Sequence, residues 1–433
     1  MRKNDSIKKI IETNTPAFLF DEGAFQRRVQ EIDSILNSKY GSYADVEDEA
    51  RVDDMTVNRR IRICYAVKAN PFLLTAAAKV TDRLEICSQG EMDIAASLGI
   101  SGEKVLYSGV SKSAEDIRKA ISQGMRHATA ESLLHLELLQ QEAEKAGVTL
   151  TVLLRLNSGA QFGMKRADIE KALAERQKYT ALQMEGIHYF CGTQRRKLKQ
   201  QEEELLMLEN FVKELREVYG LELPKLEYGP GLPVPYFEGE DFEDTLLPIK
   251  MLAPALQHAA RWAEVTVEMG RFFAASCGTY LTAVTDLKDT EDAHIVILDG
   301  GIHQLTYAGQ MMGMKIPKLY VIPKDEPEVK NEKREYAEND SGEAAKQHYM
   351  LCGSLCTTGD VLVRDVELTE LHMGDVLAFE NVGAYTVTEG IGLFLSHALP
   401  AVYLFREERS GRELIMARGP LPTSSINSIQ ECL

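Results

Sequence analysis

No apolar run in this sequence approaches the ~20 residues that a bilayer-spanning helix needs. The opening stretch, MRKNDSIKKIIETN, lacks the apolar h-region of a secretory signal. Cysteine is sparse, at 7 of 433 residues, which excludes a disulfide framework. Six of the seven (Cys64, Cys87, Cys191, Cys277, Cys352 and Cys356) fall in apolar segments that read as strands. There a thiol reads as a small buried hydrophobe, Cys356 excepted. Cys352 and Cys356 are four residues apart, but no second Cys/His pair stands near them to complete a zinc site, so no metal is expected. Positive charge is in deficit: 49 Lys and Arg against 66 Asp and Glu leave a formal charge of −17. A surface this acidic repels nucleic acid and anionic membrane. The expectation is a soluble cytoplasmic protein with neither as a partner.

What the sequence does contain is a repeated alternation. With 44% hydrophobic residues the chain can bury a large core, and its length suggests two domains or one with an appendage. Between residues 60 and 271, eight short apolar runs alternate with amphipathic helical stretches. The runs begin at Arg62, Leu84, Val105, His127, Thr151, Met184, Lys225 and Val265. Eight strand–helix units in this length predict an α/β architecture, a (β/α)8 TIM barrel. A doubly wound open sheet is the alternative, but no G-x-G-x-x-G follows the first strand. After Arg271 helical segments thin out and strands dominate, which predicts a second, β-rich domain. The expected boundaries are 25–275 for the barrel, and 1–24 with 276–433 for the β-rich domain. Two charged, apolar-poor stretches, 42–60 and 324–347, read as surface insertions.

Residues at the C-terminal ends of barrel strands face the site in such folds. Lys68 follows the first run in YAVKAN; Gly229 and Gly231 close the seventh in EYGPG; Glu268, Gly270 and Arg271 close the eighth in EMGRF. A glycine loop and an arginine after strands seven and eight form a candidate phosphate site.

Together and in order, these segments resemble the fold-type III pyridoxal-phosphate (PLP) decarboxylases, the ornithine/diaminopimelate/arginine decarboxylase group. The matching stretches run from Ala17 to Tyr403 and include YAVKAN, CSQGEMDIA, HYFCGTQ, YGPGLPVPY, EMGRF, LDGG, CGSLCTTGDVL and VGAYT. The resemblance implies that Lys68 forms the Schiff base with PLP, and that Glu268 pairs with the pyridine nitrogen and keeps it protonated. It implies that Arg271, Gly231, Gly270, Tyr385 and Thr193 hold the cofactor, chiefly its phosphate. Cys356 is implied to come from the partner subunit of a homodimer with shared active sites and to return a proton to Cα, with Asp360 supporting its loop. Arg155, after the fifth strand, is either near the cofactor or in a structural ion pair. Related racemases place an arginine where Glu268 stands, so Glu268 favours decarboxylation.

The chain also departs from the family. Phe190 occupies the place of the ring-stacking histidine; His188, two residues earlier, faces the same side of the strand. It is either part of the site or a core histidine satisfied by backbone. Thr357 replaces the acid that grips a distal amine, and Ile302–Gly313 lacks the arginine that grips a distal carboxylate. Met269 stands where proline is usual. Among substrate contacts the resemblance leaves Arg271, Thr357 and Tyr385. The departures resemble the branch acting on conjugated or carrier-protein-linked amino acids. The alternatives are a diaminopimelate decarboxylase, a non-catalytic regulatory homologue and a racemase.

Overall fold

The computed structural model describes residues 3–38, 59–291, 293–324, 346–408 and 411–429. The charged stretches at 42–60 and 324–347 lie almost wholly outside them. The chain divides into two compact units: residues 25–234 with 242–273, and residues 1–24 with 235–241 and 274–433.

The first of these is a closed barrel of eight strands. Strand β1 (Ala17–Asp21) belongs to the other unit, so the barrel strands are β2 (Arg62–Ala66), β3 (Arg83–Ile86), β4 (Val105–Tyr107), β5 (His127–Ala130), β6 (Leu150–Arg155), β7 (Leu182–Phe190), β8 (Lys225–Gly229) and β9 (Glu264–Met269). All adjacent pairs are parallel, and β2 closes on β9 with Cys64 opposite Glu268. Each expected apolar run is one of these strands. They are apolar along most of their length because both faces are covered. Where β3 and β5 give way to helices, Ser88 and Ser132 accept from the backbone N–H of Glu91 and His135. Each serine satisfies an orphan donor of the first turn.

The second unit is mostly strand: β10 (Gly278–Asp289), β11 (His294–Leu298), β12 (Leu319–Ile322), β13 (Lys346–Cys352), β14 (Val361–Thr369), β15 (Val376–Glu380), β16 (Ala401–Glu408) and β17 (Gly411–Arg418). They form one sheet with β1 near its middle, antiparallel to β10 and parallel to β16. Leu19, Leu281, Ala378, Tyr403 and Phe405 from these strands pack with Ile7 and Ile10 of the N-terminal helix. Glu22 is held by a bidentate ion pair with Arg406, at 2.6 and 3.0 Å.

One expectation needs correction. Of the six cysteines assigned to strands, only Cys64 and Cys352 lie in one. Cys87 and Cys191 come one residue after β3 and β7, Cys277 precedes β10, and Cys356 is exposed in a turn. The apolar runs continue past the last ladder pairs, Ile86 with Tyr107 and Phe190 with Gly229, where partners run out at the barrel rim. Among the described residues all six are free thiols, no group of three or more His, Cys, Asp or Glu could hold a metal, and no helix is long and apolar enough to cross a membrane.

Candidate active site

The barrel's own architecture gathers charge at the C-terminal ends of its strands. Lys68 sits in the tight turn Val67–Ala69 directly after β2. Its Nζ donates to Glu85 Oε2 at 2.7 Å and reaches Cys87 Sγ at 3.5 Å. Glu85 is an inward residue of β3 with a side chain only 3% exposed, whereas that of Lys68 is 42% exposed. The pair thus has one buried and one open end. Burial, and then Glu85, push the Cys87 thiol well above its ordinary range.

Around the rim, Lys112 follows β4 and is buried, donating to the carbonyls of Ser108 and Gly109. Burial pulls its ammonium down to about 8, partly offset by Glu131, Cys87 and Glu85. Arg155, the last residue of β6, forms a buried ion pair with Glu131, just beyond β5, and its guanidinium lies 4.9 Å from the Phe162 ring centre. The structural ion pair is therefore present.

His188 on β7 and Glu268 on β9 meet at 2.9 Å between Nε2 and Oε2, both buried. Strand β8 lies between β7 and β9, so this contact passes through the barrel interior. Burial alone would raise the Glu268 carboxyl. The hydrogen bond from His188 and the positive charges of His188, Lys68 and Arg155 outweigh burial and hold it well below the usual carboxylate range. The reading of His188 as a core histidine satisfied by backbone is overturned: its partner is Glu268, and its Nδ1 has no hydrogen-bond partner. Phe190 closes β7 with its ring against Gly229, where an added Cβ would come within 2.5 Å of Cδ2.

Next to it the backbone forms a cradle. Gly231 has φ +61°, and a Cβ there would lie 1.9 Å from the carbonyl oxygen of Gly192. Only glycine permits that approach. Thr193 Oγ1 accepts from Arg271 Nε at 3.3 Å, which ties the turn after β7 to that after β9. Gly270 faces Ala69, beside Lys68, where a Cβ would meet the alanine methyl at 2.8 Å.

Cys356, Thr357 and Tyr385 lie in the strand-rich unit. Cys356 and Thr357 are exposed in the turn before β14. Asp360 holds that turn: its carboxylate accepts from the backbone N–H of Leu355 at 2.7 Å and of Ile302 at 2.8 Å. Tyr385 has φ +68°, a strained conformation for a tyrosine, ahead of a one-turn helix.

The model of the pyridoxal-dependent decarboxylase pyridoxal-binding domain matches residues 44–275, more than half of the chain. The chain belongs to the pyridoxal-dependent decarboxylase family. It is 30% identical to diaminopimelate decarboxylase of Pseudomonas aeruginosa, over 85% of this chain and 87% of that one. It is 27% identical to L-glutamyl-[BtrI acyl-carrier protein] decarboxylase of Niallia circulans, over 78% and 80%. The diaminopimelate decarboxylase structure from Methanocaldococcus jannaschii in complex with L-lysine shares the fold, with a TM-score of 0.76, 23% identity, and coverage of 96% and 92%. The cofactor of this decarboxylase family is PLP, and the barrel residues suit it. They offer a partly open amine, a buried carboxylate kept ionised, and a glycine cradle beside an arginine and a threonine hydroxyl.

Sequence reasoning missed Glu85, Glu131 and Lys112. The first had a legible signal: an acid between two apolar residues in a buried strand, Leu84-Glu85-Ile86, points inward.

The depressed Glu268 carboxyl has a thermodynamic consequence. Its ionised form is favoured in the folded state, so it adds stability above the unfolded pKa of about 4.5, and that stability is lost as pH falls through the lower folded value. Glu268→Gln removes this term. In thermal melts of the cofactor-free protein, the gap between wild type and Glu268→Gln should narrow as pH is lowered from about 6 to about 3. A gap independent of pH would contradict the assignment.

Proposed function

We propose that this decarboxylase family member removes the α-carboxylate from an amino acid whose distal end is uncharged, amide-linked or carrier-tethered. The observation that carries this reading is Thr357, exposed beside Cys356 where an acid would grip a distal ammonium. Ile302–Gly313 likewise has no arginine to take a distal carboxylate. The similarity to an enzyme named for a carrier-protein-bound glutamyl substrate supports it.

In this proposal Lys68 is the amine that binds the cofactor, and Glu85 positions it. Glu268, oriented by His188, holds the proton on the pyridine nitrogen. Gly231, Gly270, Arg271 and Thr193, with Tyr385, bind the cofactor and its phosphate; Phe190 packs against the ring, and Arg155 adds positive charge nearby. PLP, when bound, supplies the sink for the electron pair left at Cα as CO2 departs. Cys356 of a second copy delivers the proton to Cα, from a turn braced by Asp360, so the working unit is a homodimer. Arg271, Thr357 and Tyr385 contact the substrate, and the Thr357 hydroxyl hydrogen-bonds an amide or ester without needing an ion pair.

A charge-assisted hydrogen bond contributes roughly 1.5–3 kcal/mol, so its absence weakens a diamine-type substrate by about one to two orders of magnitude. Free meso-diaminopimelate and free ornithine should be poor substrates, and an amino acid capped by amide or thioester at its distal end a better one. Steady-state CO2 release measures this. The 30% identity to a diaminopimelate decarboxylase supports the other outcome, and a kcat/KM on diaminopimelate above ~10⁴ M⁻¹s⁻¹ would establish it instead.

The shared site has its own test. Mixing inactive Lys68→Ala chains with inactive Cys356→Ala chains should restore activity, towards about a quarter of wild type if subunits exchange freely. Heterodimers that form without any recovery would place both residues' work within one chain.

A further inference from the structure

Glu227 is a buried acid that the proposed reaction does not use. It lies in β8, is 1% exposed, and its Oε1 has no hydrogen-bond partner. Its side chain points into the barrel. In the ladder it is level with Thr266 of β9, which shares a strand face with the inward-pointing Glu268 two residues on. By register Glu227 stands opposite His188 on β7 and Thr266 on β9. Thr266 is two residues before Glu268 on the same strand face, so Glu227 occupies the layer directly below the His188–Glu268 pair.

The ionisable groups facing it are Cys64 from β2, Arg83 and Glu85 from β3, His188 from β7 and Glu268 from β9. Burial, reinforced by the negative charges of Glu268 and Glu85, raises the Glu227 carboxyl to about 8 against the weaker pull of Arg83 and Cys64.

We propose that Glu227, buried in the layer beneath the His188–Glu268 pair, is a positioning residue for that pair. Two carboxylates in one dry interior repel, and the barrel avoids this by leaving the proton on the deeper one. His188 then has a single anion to serve, Glu268, and its orientation is fixed. When Glu227 ionises, His188 gains a second anion in register with it, and Glu268 loses part of its hydrogen bond and charge support. The proposal rests on Glu268 serving the cofactor nitrogen, as argued above.

The test uses Glu227→Gln, whose amide is neutral at every pH, in two measurements. The first is thermal unfolding of the cofactor-free protein. Folded wild type keeps the Glu227 proton between its ordinary 4.5 and about 8, where the unfolded chain has lost it, so wild-type stability falls as pH rises through that window. The melting temperature of Glu227→Gln relative to wild type should therefore climb by several degrees across the window and level off above about 8. The second is the visible absorbance of bound PLP in the holoenzyme. Wild type should show a spectral change centred near pH 8 that is missing in Glu227→Gln. A flat melting difference, or the same spectral change in both proteins, would overturn the proposal.

Glu268→Gln run alongside separates the two possible failures. If it alters the PLP spectrum and Glu227→Gln does not, the Glu227 role alone falls. If it leaves the spectrum as in wild type, the Glu268 assignment falls, and the Glu227 proposal with it. Should Glu227→Gln not fold, infrared spectra of wild type decide: a protonated carboxylic-acid band should be present at pH 6.5 and lost on titration through 8. Its absence at pH 6.5 would overturn the proposal.

Discussion

A carboxylate taken out of water into a barrel interior is costly unless something compensates its charge. Glu268 is such a group, and the hydrogen bond it accepts from His188 at 2.9 Å is the compensation on which the site depends. The bond reaches from β7 to β9 over the intervening β8, so it depends on the register and curvature of these three strands. Register places the histidine, and the histidine keeps the acid ionised. An ionised acid at this position can in turn hold a proton on a ring nitrogen.

The same logic runs around the rim. Lys68 pairs with Glu85, Arg155 with Glu131, and Lys112 is satisfied by two backbone carbonyls. Each of these three cations has a partner, whereas the buried carboxyl of Glu227, with no hydrogen-bond partner at Oε1, is pushed toward its neutral form. Lys68 differs from the other members in being open on one side, its side chain 42% exposed. The glycines play a steric part: at Gly231 a side chain would collide with the Gly192 carbonyl, so backbone alone can line that approach.

Much of this was legible in the sequence, for identifiable reasons. The barrel strands are apolar runs at regular intervals, and Lys68, Gly231, Glu268 and Arg271 follow from asking what stands at their ends. The partners were harder to see. Glu85, Glu227 and Glu268 share one local pattern, an acid between two apolar residues, in Leu84-Glu85-Ile86, Leu226-Glu227-Tyr228 and Val267-Glu268-Met269. Only the third was singled out, by its place at a strand end; the resemblance supplied its role. Alternation along a strand would have flagged all three as inward acids, but which cation each one meets is settled by closure of the barrel. Arg155 shows the limit in reverse: strand-end position suggested two roles, and the ion pair with Glu131, 24 residues away, was visible only in the fold.

Everything proposed for this site turns on Lys68 being the amine to which the cofactor is joined. Borohydride reduction of the PLP-loaded protein, followed by peptide mapping, tests it most directly. One labelled peptide is expected, with the pyridoxyl group on Lys68 and none on the buried amine of Lys112. A label on Lys112, or on any lysine other than Lys68, would contradict it.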